Sequence, residues 1–255
     1  MSRRLENKTI LVVGGGGIGD ECARRYCEDG ANVLLGDLDG DAAAGAANKI
    51  DPSGKRALGT VLNGADEQSV AAAVSLAVAT FGRLDGMHAN FANFADGRSV
   101  GGALDIPLEI FDEMMTVNVR GFLLCTRYTV PEMIKGGGGS IVYTSSGAAY
   151  AGEAVRPYYA MSKSAIHALM RHVARRYGPQ GIRANVIAPG IIMHPKLAAA
   201  VGEAFQAQAI ERTLCRSRLG TPNDIARLAS LLLSEDGGFI TGQVISVDGG
   251  VTMRA

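Results

Sequence analysis

Short apolar, β-branched segments alternate along this chain with longer segments in which apolar residues recur every three to four positions. The first pattern is typical of buried strands and the second of amphipathic helices. Their alternation predicts parallel strands joined by helices that cover both faces of one sheet. Strands are predicted at Thr9–Val13, Asn32–Asp37, 57–62, 86–90, 140–145, 183–188 and Val244–Val247. Helices are predicted at 18–29, 66–81, 108–133, 158–177 and Pro222–Leu233.

The alternation runs through the chain without a repeat or a long Pro/Ser-rich linker. A length of 255 residues suits one large domain, so we predict a single α/β domain over 1–255. Its sheet should be doubly wound, with about seven parallel strands and ligands beyond their carboxyl ends. A second run of glycines at 136–139 is predicted to stop a helix and form a turn. An Ala-rich helical insert at 194–218 is predicted to be a lid over the ligand.

The amino-acid composition limits which binding partners and which cellular compartment we expect. Apolar residues make up 47% and charged residues 20% of the chain, and the formal net charge is +0. The chain therefore has no excess positive charge that would attract nucleic acid or an anionic membrane. No apolar run reaches the ~18 residues of a spanning helix, and no signal-peptide pattern is seen, so we expect a cytoplasmic protein. The scattered cysteines indicate reduced thiols and no metal site: Cys22, Cys27, Cys125 and Cys215.

A glycine loop follows the first predicted strand. Gly14, Gly16 and Gly19 fit the pattern Gly-x-Gly-x-x-Gly, between that strand and the helix after it. Glycine lets the backbone approach a diphosphate closely, and the helix N-terminus offers N–H donors and a positive dipole end. The alternative is a plain turn. The strand–loop–helix context favours a dinucleotide site.

An acidic residue closes the second predicted strand. Asp37 lies 18 residues after Gly19 and has Gly36 and Leu38 as neighbours. A carboxylate at this point can accept hydrogen bonds from both ribose hydroxyls and repels a 2′-phosphate. No basic side chain stands beside it. NAD is therefore favoured over NADP.

A tyrosine and a lysine four residues apart share one helix face at Tyr159 and Lys163. An ammonium group favours the phenolate and so makes the phenol a better acid or base near neutral pH. Taken alone, such a pair is typical of a solvated surface. A strand that ends in hydroxyls at Ser145 and Ser146, and an amide among apolar neighbours at Asn118, make a reactive site the better interpretation.

Together these landmarks resemble the short-chain dehydrogenase/reductase family. They are the glycine loop, Asp37, Asn90, Asn118, Ser146, Tyr159–Lys163, Pro189-Gly190 and the ending Ile240-Thr241-Gly242 to Asp248-Gly249-Gly250. They occur in the family's order and spacing, and the resemblance covers nearly the whole chain. It implies a Rossmann-like fold and an NAD-dependent oxidoreductase that interconverts a secondary alcohol and a ketone.

The resemblance implies a role for each catalytic candidate. Tyr159 would donate a proton to a carbonyl oxygen or take one from an alcohol. Ser146, which lies 13 residues before Tyr159, would hold that oxygen. Lys163 would bind the nicotinamide ribose and depress the pKa of Tyr159. Asn118 would anchor a water that links Lys163 to solvent.

The resemblance also implies a cofactor site and a substrate pocket. Backbone at 189–192 would hold the nicotinamide amide, and Asn63, where the family usually has Asp, would contact adenine. The cofactor set is Gly14, Gly16, Gly17, Ile18, Gly19, Asp37, Leu38, Asn63, Gly64, Asn90, Tyr159, Lys163, Pro189, Gly190 and Ile192. The pocket set is Phe94, Ala148, Tyr150, Glu153, Arg156, Met193, His194 and Leu197. Its apolar members favour a hydrophobic, cyclic substrate.

The chain departs from the family at three points. Its glycine loop is one residue shorter and has Val13 in place of a threonine. The family's Asn-Asn-Ala-Gly becomes Ala89-Asn90-Phe91-Ala92, which we expect to place a bulky ring near the cofactor. His194 stands where a threonine often lies beside the cofactor carboxamide. These departures motivate an alternative function, an NAD-binding sensor or scaffold without turnover.

The family resemblance further implies a homotetramer. Its contacts would be made by the helices at 108–133 and 158–177 and by the C-terminal segment.

Overall fold

The strands form one parallel sheet. We describe a computed structural model, which covers residues 3–94 and 100–253. Within those residues seven strands pair in the order β3-β2-β1-β4-β5-β6-β7, and every pairing is parallel. The strands are β1 (Thr9–Val13), β2 (Asn32–Asp37), β3 (Ala57–Val61), β4 (Gly86–Ala89), β5 (Gly139–Thr144), β6 (Ile182–Pro189) and β7 (Val244–Val247).

The strand order reverses beside β1, and this creates the crevice of the fold. In the register, Val13 at the end of β1 lies opposite Gly36 of β2 and Ala89 of β4. The chain leaves β1 toward one edge of the sheet and leaves β4 toward the other. Ligands of open α/β sheets bind at such a point, outside the carboxyl ends of the strands. The glycine loop and Asn90 both begin there.

Helices cover both faces, which confirms the doubly wound prediction. One apolar core joins the sheet to α3, α5 and α6, and the other joins it to α1, α2 and α9. The helices are α1 (Gly16–Glu28), α2 (Gly40–Ile50), α3 (Glu67–Phe81), α4 (Leu108–Met115), α5 (Gly121–Lys135), α6 (Pro157–Tyr177), α7 (Pro195–Ala200), α8 (Glu203–Glu211) and α9 (Pro222–Leu233). None of these described helices is both long and apolar enough to cross a membrane.

Side-chain caps explain where several helices begin. Asp39 accepts a hydrogen bond from the Ala42 N–H at the start of α2, and Asp66 caps α3 in the same way. The apolar pattern did not predict α2. Its buried side chains are only Ala43 and Ala47, four residues apart, and alanines give a weak periodic signal.

Two predicted segments differ in detail. The helix predicted over 108–133 is interrupted by a π-helical turn at Thr116–Arg120, which separates α4 from α5. The insert predicted at 194–218 contains two short helices, α7 and α8. The glycine run at 136–139 ends α5 and turns the chain into β5, as predicted, with Gly137 at φ +92°.

Candidate active site

Tyr159, Ser146 and Lys163 come together at the carboxyl end of β5. Ser146 is the second residue after that strand, and α6, which starts with Pro157 at its first turn, carries the other two. The Ser146 side chain is close enough to Tyr159 to lower the pKa of its phenol. The Lys163 Nζ lies 5.8 Å from the centre of the Tyr159 ring. One helix face and one strand end thus assemble the set that the spacing predicts.

The amine of Lys163 is almost fully buried. Its side chain is 1% exposed, and Nζ donates a hydrogen bond of 3.1 Å to the main-chain carbonyl of Thr144. Nζ also lies 5.3 Å from the centre of the Phe122 ring. Burial disfavours the charged ammonium and lowers the pKa of Lys163 to about 7. The lysine can therefore change protonation state near neutral pH.

Burial also dominates at Tyr159, and it raises the pKa of the phenol to about 12. Hydrogen bonding with Ser146 and the charge of Arg156 lower this pKa, and the Glu153 carboxylate raises it. The expectation of a depressed pKa is therefore wrong for the chain by itself. The physical reason is that burial penalises the phenolate more than the neighbouring groups stabilise it.

Asn118 sits inside the π-helical turn, a feature that often marks functional sites. Its Oδ1 accepts a 2.7 Å hydrogen bond from the Asn93 N–H, and its Nδ2 donates to the Asn93 carbonyl and to Ser162 Oγ. Ser162 Oγ in turn donates to the Tyr159 carbonyl. The side-chain amide thus holds protein groups, and the water that the family resemblance implies at Asn118 stays a prediction. Ser162 was missed, although it lies three residues after Tyr159 on the same helix face.

Two buried histidines hold the strand end that carries these groups. On one face His88 Nε2 lies 2.8 Å from Thr144 Oγ1, and His88 Nδ1 lies 2.7 Å from Tyr26 Oη. On the other face His167 Nε2 lies 2.8 Å from Ser145 Oγ. Burial lowers the pKa of His88 to about 3, so this ring stays neutral at physiological pH.

The glycine loop has a backbone that other residues could not adopt without strain. Gly14 and Gly16 have φ angles of +93° and +73°. A Cβ placed on Gly19 would lie 2.0 Å from the Gly14 carbonyl oxygen. The third glycine therefore lets the first turn of α1 pack directly on the loop.

Two carboxylates bind the amides of this loop. Asp37 Oδ2 accepts a 2.7 Å hydrogen bond from the Gly15 N–H, and Asp20 Oδ1 accepts one of 3.0 Å from the Gly16 N–H. Asp37 was predicted, and Asp20 was not. The signal for Asp20 is a carboxylate four residues after Gly16, on the second turn of the helix, from where its side chain reaches back to the Gly16 N–H at the helix N-terminus.

Asn90 lies beside the loop, where its Nδ2 is 3.4 Å from the Gly14 carbonyl oxygen. Its Oδ1 is buried and has no hydrogen-bond partner among the described residues. On the adenine side of the predicted site, Leu38 is 69% exposed. The Asn63 Oδ1 accepts from the Ala65 N–H, so the turn itself uses that side-chain oxygen.

Phe91 fills a space that glycines leave open. A Cβ on Gly64 would lie 2.7 Å from the tip of the Phe91 ring, and one on Gly121 would lie 2.9 Å from the ring. The ring centre is 4.7 Å from that of Phe122. The bulky ring expected near the cofactor is thus packed against the core between glycines 64 and 121.

The segment after β6 is fixed to its neighbours. Gly190 donates to the Val247 carbonyl, and the Met193 N–H donates to Gly220. Pro189 ends β6, and Ile192 is 5% exposed within the core. A backbone held on both sides can present its remaining groups in a constant position. That residues 189–192 hold the nicotinamide amide stays a prediction.

The residues present fit a dinucleotide. Gly16, in the loop after β1, faces open space and so permits close approach of a ligand, and the loop leads into the N-terminus of α1. Asp37 stands at the end of the neighbouring strand, beside the loop. Buried polar atoms without partners among the described residues, Asn90 Oδ1 and His194 Nδ1, lie next to the loop. Such orphaned groups are expected where a ligand completes the hydrogen bonding.

The predicted pocket residues fall into two groups. The Phe94 ring stacks on the Tyr159 ring at 5.1 Å, and Arg156 and Glu153 form an ion pair of 4.0 Å whose charges act on Tyr159. The Ala148 N–H donates to Ser146 Oγ. The other four have different neighbours: the Tyr150 ring packs against His167, Met193 and Leu197 lie at or after the loop that follows β6, and His194 packs on Gly17.

Known proteins with similar sequences include dehydrogenases and reductases. The family model described as Enoyl-(Acyl carrier protein) reductase matches residues 13–252. A Bradyrhizobium diazoefficiens protein named as a short-chain type dehydrogenase/reductase is 38% identical, over 97% of this chain and 88% of its own length. Cyclohexanol dehydrogenase of an Acinetobacter species is 31% identical, over 100% of this chain and 98% of its own.

A solved structure shows the same fold. The short-chain type dehydrogenase/reductase of Mycobacterium ulcerans superposes with a TM-score of 0.89 at 30% identity, over 98% of this chain and 91% of that one. Fold and site together define an oxidoreductase of the class that binds a nicotinamide cofactor. The chain belongs to the short-chain dehydrogenase/reductase family.

Proposed function

We propose that this chain is an NAD-dependent oxidoreductase that interconverts a secondary alcohol and a ketone. The observation that carries the proposal is that Tyr159 and Ser146 lie together beside buried Lys163, at the carboxyl end of β5. A proton donor and a second hydroxyl directed at one point are what a reacting carbonyl oxygen needs. When bound, the nicotinamide cofactor supplies the capacity to take up or release a hydride.

The chain's own part is to hold the oxygen and move one proton. In ketone reduction Tyr159 donates its phenolic proton to the oxygen, and Ser146 Oγ holds that oxygen by a second hydrogen bond. In alcohol oxidation Tyr159 takes the proton back. With a pKa of about 12 the phenol is a proton donor at neutral pH, so oxidation needs additional positive charge near the ring.

Lys163 is the group of this site that can gain such a charge. Its pKa of about 7 means that a small electrostatic change alters its protonation. We propose that Lys163 also holds the nicotinamide ribose. Because the Asn118 side chain is committed to Asn93 and Ser162, we propose that Asn118 fixes the helix face of Tyr159 and serves the proton path through its main chain.

The preference for NAD rests on the carboxylates of the glycine loop. We propose that Asp37, at the end of β2, accepts hydrogen bonds from the ribose hydroxyls; its charge also acts on Asp20. A 2′-phosphate would bring a further negative charge beside them, which like-charge repulsion opposes. We therefore propose NAD as the cofactor.

Replacing Asp37 with asparagine tests this preference. It should lower kcat/KM for NAD about 10- to 100-fold, because hydrogen bonds to a charged group contribute about 1.5–3 kcal/mol. The ratio of NADP to NAD efficiency should rise. Asp39→Asn is the matched control, since Asp39 caps α2 and should leave the ratio unchanged. Equal kcat/KM for NADP and NAD in the unaltered protein would contradict the proposal.

The substrate is proposed to be hydrophobic and cyclic. Phe94 offers an aromatic face directly on Tyr159. The similarity to a cyclohexanol dehydrogenase supports the same class. The test is a turnover screen in which cyclic and open-chain secondary alcohols are offered with NAD, and the matching ketones with NADH. We expect cyclic members to have the higher kcat/KM.

The alternative is a chain that binds NAD(H) without turnover, as a sensor or scaffold. Its motivation is the shortened glycine loop together with Ala89 and Phe91. The Phe91 ring packs against Phe122 in the core, and this weakens the argument that the ring obstructs the cofactor. Measurable NADH binding without turnover in any class of the screen would favour the alternative.

We also propose that the protein is a homotetramer. Large apolar side chains are exposed on the helices predicted as contacts: Leu108 is 69%, Leu123 51% and Met161 49% exposed. Sedimentation of the unaltered protein should give the mass of four chains, and Leu123→Glu should reduce that mass. Leu76→Glu, on α3, is the control that should leave it intact. A monomer in the unaltered protein would refute the assembly.

A further inference from the structure

His194 lies against the glycine loop. A Cβ on Gly17 would be 2.6 Å from the Cβ and Cγ of His194 and 3.0 Å from its Nδ1. The Nδ1 atom is buried and has no hydrogen-bond partner among the described residues. A ring nitrogen that is withdrawn from water and left unpaired costs free energy unless a ligand completes it. The glycine at position 17 is what allows this ring to approach the loop.

The ring lies beside the place where we expect the diphosphate. Gly17 is in the first turn of α1, and helix N-termini that follow a glycine loop bind phosphate groups. The N–H groups of Gly15 and Gly16 already donate to Asp37 and Asp20. A diphosphate is therefore left with fewer loop donors, and an additional donor from outside the loop would be well placed on this side.

The two carboxylates at the loop would repel a diphosphate, so a cation beside the loop would favour its binding. Burial raises the pKa of Asp20, and the Asp37 carboxylate raises it further; the Gly16 N–H and the charges of Lys196 and Lys49 lower it. Two carboxylates thus stand where a dianionic diphosphate must approach. A protonated imidazole in contact with Gly17 would offset part of that repulsion.

We propose that His194 is a ligand of the cofactor diphosphate, and that its protonated form makes cofactor affinity increase as the pH falls. The inference rests on the proposed function, because it assumes a dinucleotide at this loop. Binding of the diphosphate favours the protonated ring, so the protein takes up a proton on binding. The other charged groups of this region are Asp20 on α1, Asp37 on β2, Lys49 on α2 and Lys196 on α7.

The test is calorimetric titration with ADP-ribose, which has the diphosphate but no nicotinamide. Histidine titrates between about pH 5 and 8, so affinities at about pH 6 and about pH 8 bracket the change. We expect the unaltered protein to bind several-fold more tightly at the lower pH, with about tenfold as the ceiling for a linkage of one pK unit. His194→Gln should bind more weakly at the lower pH and should lose this dependence.

Matched variants separate His194 from its surroundings. His172→Gln makes the same change on an exposed helix position and should behave like the unaltered protein. Asp20→Asn should retain the pH dependence, because His194 and not Asp20 carries it. For the unaltered protein, titrations in buffers of different ionisation enthalpy should show uptake of a fraction of a proton, up to about one. Because that measurement uses only the unaltered protein, it does not depend on whether a variant folds.

The outcomes distinguish this inference from the function it rests on. An unchanged pH dependence in His194→Gln, or no proton uptake by the unaltered protein, overturns the inference and leaves the proposed function standing. A defect of His194→Gln with NADH but not with ADP-ribose assigns the ring to the carboxamide and also overturns it. If the unaltered protein binds neither ADP-ribose nor NADH, the cofactor proposal itself is wrong.

Discussion

Tyr159→Phe is expected to lower kcat by about 10²–10⁴-fold, the range that a positioned proton donor contributes. The ring and its stacking with Phe94 remain, and only the hydroxyl that exchanges a proton with the substrate oxygen is lost. NADH affinity should stay nearly unchanged, because the glycine loop and Asp37 are untouched. Initial rates with the best substrate of the screen, together with an NADH titration, measure both quantities.

The neighbouring tyrosine supplies the control. Tyr158→Phe also removes one buried hydroxyl, whose partner is the carbonyl of Ile106 at 3.3 Å. It should lower the free energy of unfolding by about 0.5–1.5 kcal/mol and leave kcat within a small factor. If Tyr159→Phe retains turnover comparable to that of Tyr158→Phe, the role given to Tyr159 is wrong.

Gly19→Ala is expected to abolish cofactor binding at ordinary concentrations, with a dissociation constant for NADH raised at least about 100-fold. Its Cβ would lie 2.0 Å from the Gly14 carbonyl oxygen, so either the loop or the first turn of α1 must move. Overpacking of this kind costs about 1–3 kcal/mol of stability. The displaced loop would also lose its fit to a diphosphate. Fluorescence titration with NADH and thermal unfolding report the two effects.

A second glycine tests whether the effect belongs to this position. Gly45 lies inside α2, and a Cβ there would meet no atom within 4 Å. Gly45→Ala should stabilise the helix by about 0.5–1 kcal/mol and leave NADH affinity unchanged. Normal NADH binding by Gly19→Ala would show that the loop is not the diphosphate site.

The parts of the site that could be predicted from sequence are those whose spacing encodes their geometry. Tyr159 and Lys163 share a helix face because they are four residues apart, and Ser146 ends a strand by its place after an apolar run. The order of strand, loop and helix predicts a tight turn at Gly14 after the first strand. It also predicts that Asp37 lies at the end of the adjacent strand. Each of these inferences needs only local periodicity and the rule that parallel strands end at one edge.

The parts that could not be predicted depend on three-dimensional packing. The π-helical turn arises where Asn118 bonds the Asn93 backbone, a contact between residues far apart in the chain. From the sequence alone Phe91 is expected to crowd the cofactor. In the structure its ring lies between two glycines that are distant in the chain. The pKa of Tyr159 was misjudged because the cost of burial cannot be estimated from a motif. Helix α2 was missed since alanines provide both of its buried contacts.

Transfer of a deuterium label tests the central claim most directly. The most active secondary alcohol of the screen is prepared with deuterium on its carbinol carbon and oxidised with NAD in ordinary water. The account predicts that ketone and NADH form in equal amounts and that each NADH carries the deuterium, since the label moves directly from the alcohol carbon. Unlabelled NADH, or NADH binding with no turnover of any alcohol or ketone in the screen, would contradict it.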